Sequence, residues 1–143
     1  MTGAMPDEVC TGEARHKTWL VAQDKWVSET WIERCIDLGE YLIAERSHRP
    51  VGFVRWSWFW GKVPYMDMIR VEPSQQRTGI GTLLLTHLQD LVRAHGATIV
   101  MTSCESDEPE PLEWYLKHGF TRTGAIDIPT VQCAREIFLA KRL

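Results

Sequence analysis

Gln76-Arg77-Thr78-Gly79-Ile80-Gly81 sets two glycines between a strand-like run and a helical one. Glycine there lets the backbone turn tightly and come close to a ligand. The first-turn N–H groups of the following helix have no acceptor within it and point outward at the positive end of its dipole. A diphosphate meets both requirements, although glycines serving turn geometry alone would read the same way. The string is not a dinucleotide fingerprint, because Leu84 stands at the third glycine position and no acidic residue closes the next strand. Nor is it a P-loop, since no Gly-Lys-Ser/Thr follows. A second string, Trp114-Tyr115-Leu116-Lys117-His118-Gly119-Phe120, comes about one helix and one strand later and offers a phenol. Asp67 shares a strand face with Tyr65, Ile69 and Val71 through the period of two. The five histidines show no HExxH or other ligand spacing, so no metal is expected. Cys104 reads as inert packing, and no GxSxG is present.

These groups need elements to position them. Residues 1–16 are polar without a periodic signal and read as an irregular lead-in. Residues 17–27 suit a strand or a helix. Ser28 caps a helix carrying Trp31, Ile32, Cys35 and Ile36, which Gly39 stops. Tyr41–Glu45, Val51–Trp60 and Val63–Val71 are three strand-like runs with short connections, which suggests an antiparallel meander. Ile80, Leu83, Leu84, Leu88, Leu91 and Val92 recur at helical spacing, with Thr82, Thr86, Gln89 and Arg93 on the other side and Gly96 at the end. Ala97–Ser103 reads as a buried strand. An acidic loop, Glu105–Pro109, leads into a short helix that Gly119 ends, and Phe120–Ala125 and Arg135–Lys141 close the chain as strands. The order is that of a mixed α/β fold with no repeat and no linker, so residues 1–143 are expected to form one domain.

Together the two strings resemble the GNAT superfamily of acetyl-CoA-dependent N-acetyltransferases. The loop matches the family's Gln/Arg-x-x-Gly-x-Gly/Ala, Val71-Glu72-Pro73 its Val-x-Pro lead-in, and Tyr115 to Phe120 its Tyr-x-x-x-Gly-Phe. The resemblance covers about Glu40 to Leu143. It implies an α/β (α+β mixed) fold with a central, mostly antiparallel twisted sheet flanked by helices and splayed at the acetyl-CoA site. Acetyl-CoA is then the co-substrate, with its diphosphate on Gln76, Arg77, Thr78, Gly79, Ile80, Gly81 and Thr82. Backbone groups of Ile69, Arg70 and Val71 are expected along the thioester arm, with the Val71 N–H near the carbonyl that becomes an oxyanion. The position of an Asn that many members set against the pantetheine arm is Glu108 here, as in a branch where an acid takes that place.

By the same resemblance Tyr115 contacts the cofactor and is the candidate general acid, since a phenol with pKa near 10 stays protonated at neutral pH. A core tyrosine is the alternative. Asp67 is the candidate base, directly or through water, with Glu105 and Glu108 in reserve; a structural acid is the alternative. Trp56, Trp58 and Trp60 lie on one strand face and Phe53 and Phe59 on the other, a stripe that reads as core packing. Trp60, Trp26 and Trp31 could instead wall an acceptor pocket, since aromatic faces attract ammonium groups. The implied activity is acetyl transfer to a primary amine of a small molecule or protein by direct attack. A non-catalytic acyl-CoA sensor on the same fold is the alternative.

Composition bounds the partners. A chain of 143 residues with net charge −3 is long enough for a real core and gives no basic surface for nucleic acid or an anionic membrane. An acceptor on charged tRNA is disfavoured for the same reason. No apolar run approaches the ~20 residues of a membrane span. The four cysteines form no CxxC pair and read as reduced thiols. A cytoplasmic protein is expected, as monomer or homodimer.

Overall fold

Turn chemistry and alternation place most of the sheet. The computed structural model describes residues 7–143. Its strands are β1 (Glu8–Thr11), β2 (Tyr41–Arg46), β3 (Arg49–Phe59), β4 (Val63–Val71), β5 (Ile99–Glu105), β6 (Thr121–Ile126) and β7 (Glu136–Arg142). Its helices are α1 (Lys17–Gln23), α2 (Glu29–Asp37), α3 (Ile80–Ala94) and α4 (Pro109–Lys117), with short 3-10 turns at Ala14–His16 and Pro73–Gln75. The sheet has seven strands in the order β1-β2-β3-β4-β5-β7-β6. Pairing is antiparallel for β1–β2, β2–β3, β5–β7 and β6–β7, and parallel for β4–β5. This is the mixed, mostly antiparallel sheet with flanking helices that the sequence implies. Among the described residues no helix is long and apolar enough to cross a membrane.

The described residues group into two compact units, one taking in residues up to Trp56 and Met68–Asp90, the other Ser57–Asp67 and Leu91–Leu143. In the first, Leu20 of α1 and Ile32 and Cys35 of α2 pack on Tyr41, Ile43 and Phe53. Trp19 and Tyr41 meet the Phe53 ring edge-on at 6.1 and 5.7 Å. The other face of β3 takes α3 through Gly52, where a Cβ would meet Ile80 Cγ2 at 3.0 Å and Leu84 Cδ1 at 3.2 Å. Ser28 caps α2 as expected, its hydroxyl accepting from the Trp31 N–H at 3.2 Å. Asp24 is buried but satisfied, taking the Arg55 Nε–H at 2.8 Å and the Tyr41 hydroxyl at 2.6 Å. In the second unit, β5 runs in register with β7 from Ile99–Arg142 to Glu105–Glu136. There Val100, Thr102, Tyr115, Phe120 and Leu139 are buried.

Several expectations need correction. Residues 8–16 are not an irregular lead-in: Glu8–Thr11 pairs with β2, Cys10 opposite Ile43, and His16 is buried. Four residues are too few to show a period, and the pairing partner lies more than thirty residues on. Residues 1–6 of that segment lie outside the described residues. Residues 17–27 resolve into a helix, Lys17–Gln23, and a loop. β5 starts and ends two residues later than Ala97–Ser103, so Cys104 is inside the strand. The tryptophan stripe is not a core stripe. Trp56 is buried, but Trp58 is 38% exposed, and Trp60 sits past the strand end in a turn with φ 56°, 80% exposed.

Candidate functional site

The loop after β4 is fastened at several points. Past the Pro73–Gln75 turn the Gln76 backbone is extended, and its side-chain amide donates to the Val71 carbonyl at 3.2 Å. Arg46 reaches from β2 to Gln75 Oε1 at 2.9 Å and Thr78 Oγ1 at 3.2 Å, and it is itself held by Asp7 at 2.8 Å. Thr78 Oγ1 donates to the Gln75 carbonyl. Arg77 and Gly79 both have positive φ, 63° and 89°. The ladder of α3 opens with Leu83 N–H to the Gly79 carbonyl at 3.0 Å, so the Ile80 and Gly81 amides have no acceptor within the helix. A Cβ built at Gly79 meets nothing within 4 Å. Exposed loop, outward amides and open space at the glycine fit a diphosphate. Arg46 is a part the sequence did not disclose, since it lies some thirty residues from its partners and belongs to no motif.

The strand before the loop changes character along its length. Pro64 and Met66 are buried with half-buried neighbours, and from Asp67 to Val71 every residue is half-buried. The parallel ladder to β5 consists of two pairs, Tyr65–Met101 and Met66–Thr102. Ile69, Arg70 and Val71 follow, with one Val71 backbone group, its carbonyl, accepting from Gln76.

The second unit holds the titratable candidates. Tyr115 is 6% exposed on α4, its ring edge-on to Phe120 at 5.6 Å and Trp114 at 5.7 Å. Burial pushes its phenol up to about 12, opposed by the Thr102 hydroxyl and reinforced by Cys104, Tyr65 and Glu136. Thr102 is itself fixed by donating to the Met66 carbonyl at 2.9 Å. Tyr65 is hydrogen-bonded to Ser103, and burial raises its phenol too. Asp67 accepts from Ser57 Oγ at 3.3 Å. Glu108 is the residue preceding α4 and makes no capping bond; burial first, then Glu105, Asp107 and Glu136, raise its carboxyl. Cys104 is buried and its thiol raised by that burial, which suits packing and not nucleophilic attack. Of the sequence candidates, the loop residues and Ile69, Arg70 and Val71 therefore fall in one unit, and Asp67, Glu108 and Tyr115 in the other.

One grouping among the described residues has ligand chemistry: Cys10, His16 and Glu45, whose donor atoms lie within 4.8 Å of one another. No spacing rule joins them, because strand pairing brings Cys10 to β2. Three features make it a poor metal site. Arg15 already holds both Glu45 oxygens at 2.9 and 3.2 Å. His16 Nδ1 accepts the Glu13 N–H at 3.0 Å, so in the neutral ring the proton sits on Nε2, the atom facing Glu45. Burial also pushes the Cys10 thiol up to about 11, away from the thiolate a metal needs.

Comparison with known proteins agrees with the family resemblance and the fold. The acetyltransferase (GNAT) family matches residues 9–120, and the chain belongs to that family. An L-2,4-diaminobutyric acid acetyltransferase of Nocardia farcinica is 29% identical over 68% of this chain and 54% of its own length. A mycothiol acetyltransferase of Sanguibacter keddieii is 31% identical over 71% of this chain and 33% of its own. The chain thus spans about half of one curated relative and a third of the other. Among solved structures, Ard1 from Thermoplasma volcanium superposes with TM-score 0.85 at 14% identity, covering 97% of this chain and 99% of that one. An N-acetylglutamate synthase from Neisseria gonorrhoeae, complexed with coenzyme A and N-acetyl-glutamate, gives 0.76 at 19% identity over 97% of this chain and 35% of that one. At such identities these two establish likeness of fold.

Proposed function

We propose that the protein is an N-acetyltransferase that moves the acetyl group of acetyl-CoA to a primary amine by direct attack. The observation that carries this is the loop at the start of α3, where outward amides and an open Gly79 suit a diphosphate in a chain of this family. Gln76 to Thr82 hold the diphosphate, mostly through backbone donors, and backbone groups of Ile69, Arg70 and Val71 line the arm. Glu108 takes the pantetheine-side position.

Such a transfer asks for positioning, a neutral amine and relief of charge on the departing sulfur. Tyr115, with its phenol near 12, is fully protonated at neutral pH. Against a thiol of about 8.5, complete proton transfer from so weak an acid runs uphill. Its larger part is then a hydrogen bond to the sulfur as charge builds. Asp67 removes the proton that the amine loses on attack, directly or through a water.

Calorimetry with CoA and thiol release from acetyl-CoA across a panel of amines test the reading. CoA binding with turnover on some amine is the expected result. Binding without turnover would favour an acyl-CoA-binding module, and no binding at millimolar CoA would remove the cofactor.

A further inference from the structure

Two tryptophans in the α1–α2 region invite an ammonium group by their exposure, 56% for Trp26 and 44% for Trp31. One face of each ring is already taken. The Arg34 guanidinium lies over Trp31 at 4.4 Å and the Arg70 guanidinium over Trp26 at 5.4 Å. A second cation is repelled from such a face, so on the Arg70 side of Trp26 the charge preference is reversed.

Arg70 is the unusual partner. It is half-buried on β4, on the face of Met68, which packs against the α1–α2 core. Its Nε is buried and has no hydrogen-bond partner. A buried donor left unpaired costs about 1–3 kcal/mol, and more on a charged group. The nearby acids along the chain do not relieve it: Asp24 is held by Arg55 and Tyr41, and Glu72 accepts the Trp19 indole N–H at 2.9 Å. A guanidinium with one face on a ring keeps its donors in its own plane, and with Nε enclosed the two terminal nitrogens are the pair that can meet a carboxylate in two parallel bonds.

The geometry points to Arg70 and Trp26 as a carboxylate-binding subsite for the acceptor, so that the preferred amine is one carrying a carboxylate, as a diamino acid does. The placement rests on the acetyltransferase reading, in which Ile69 and Val71 on either side of Arg70 carry the thioester arm. The subsite then lies beside the reacting end of the strand.

Two measurements test it, using L-lysine against cadaverine and L-ornithine against putrescine, pairs that differ by the carboxylate. In the first, kcat/KM by thiol release should favour the amino acid by about ten- to a hundredfold, and Arg70→Gln should bring that ratio close to one. In the second, the Trp26 indole N–H resonance, assigned with Trp26→Phe, should shift on titrating the amino acid and not the diamine, with and without CoA. The shift should vanish in Arg70→Gln. CoA binding by the wild type with neither ratio nor shift overturns the subsite and leaves the acetyltransferase reading intact. A specific Trp26 shift without CoA binding does the reverse. Loss of CoA affinity in a folded Arg70→Gln protein would give the arginine to the cofactor and also overturn the subsite.

Discussion

The Gln76 side chain donates to the Val71 carbonyl at 3.2 Å, tying the start of the glycine loop to the end of the strand it leaves. The same two segments carry the groups proposed for the diphosphate and for the thioester arm, so their separation is set before any ligand arrives. Preorganisation of this kind lowers the ordering cost of binding. Gln76→Ala is therefore expected to weaken CoA binding by roughly three- to tenfold, the value of one exposed hydrogen bond, with little change in melting temperature. Calorimetry checks it; affinity within a factor of two of the parent would show that the loop keeps its shape without the tie.

Gly79→Val tests the cradle itself. The space around this residue is open, and a Cβ there meets nothing within 4 Å. It does meet the φ of 89°, which a β-branched residue resists at a cost on the order of 1–3 kcal/mol. A modest loss of stability with CoA binding abolished is expected. Gly79→Ala should show a similar backbone penalty with a smaller loss of affinity. Unchanged CoA affinity in a folded Gly79→Val protein would place the diphosphate elsewhere.

The parts of this molecule that were legible are those written over a few consecutive residues. The glycine loop, the amphipathic α3, the Ser28 cap and the Tyr115–Phe120 string each carry their signal within a turn or two. What stayed hidden depends on partners distant in the chain. β1 is four residues that gain their order by pairing with β2. Arg46 acts on a loop about thirty residues away, and Thr102 is set by a Met66 carbonyl across the parallel ladder. Trp60 read as strand because alternation continues through it, whereas the hairpin turn takes it at positive φ and turns it outward. Alternation gives the face of a residue but not the end of its strand.

Acid should weaken the contact between β1 and β2 through Glu45. Its hydrogen bonds from Arg15, followed by that from Cys10, lower its carboxyl from 4.5 to about 2 against the opposing effect of burial. A group depressed on folding contributes stability that is full above its unfolded pKa and is lost as pH falls toward the folded one. The window is therefore from about pH 4.5 down to 2. His16, facing the same carboxylate and lowered by burial, loses its contribution in the same direction below its ordinary 6.5. The melting-temperature difference between wild type and Glu45→Gln should shrink as pH falls through that window. A difference independent of pH would mean that Glu45 stabilises by packing and not by its charge.

Tyr115 decides between two accounts that the fold permits equally. In the first, a 6% exposed tyrosine wedged between Trp114 and Phe120 is core, and its hydroxyl matters only to local packing and polarity near Thr102. Tyr115→Phe should then cost about 1 kcal/mol of stability and leave turnover alone. In the second, the hydroxyl donates to the departing sulfur, and a charge-assisted bond of about 1.5–3 kcal/mol disappears from the transition state. The expected loss in kcat is about ten- to a hundredfold, with CoA affinity and melting temperature nearly unchanged. Because burial holds the phenol near 12, no fall in rate from its ionisation should appear below about pH 11. A kcat within about threefold of the parent, together with lower stability, would return Tyr115 to the core and leave the thiolate to take its proton from water.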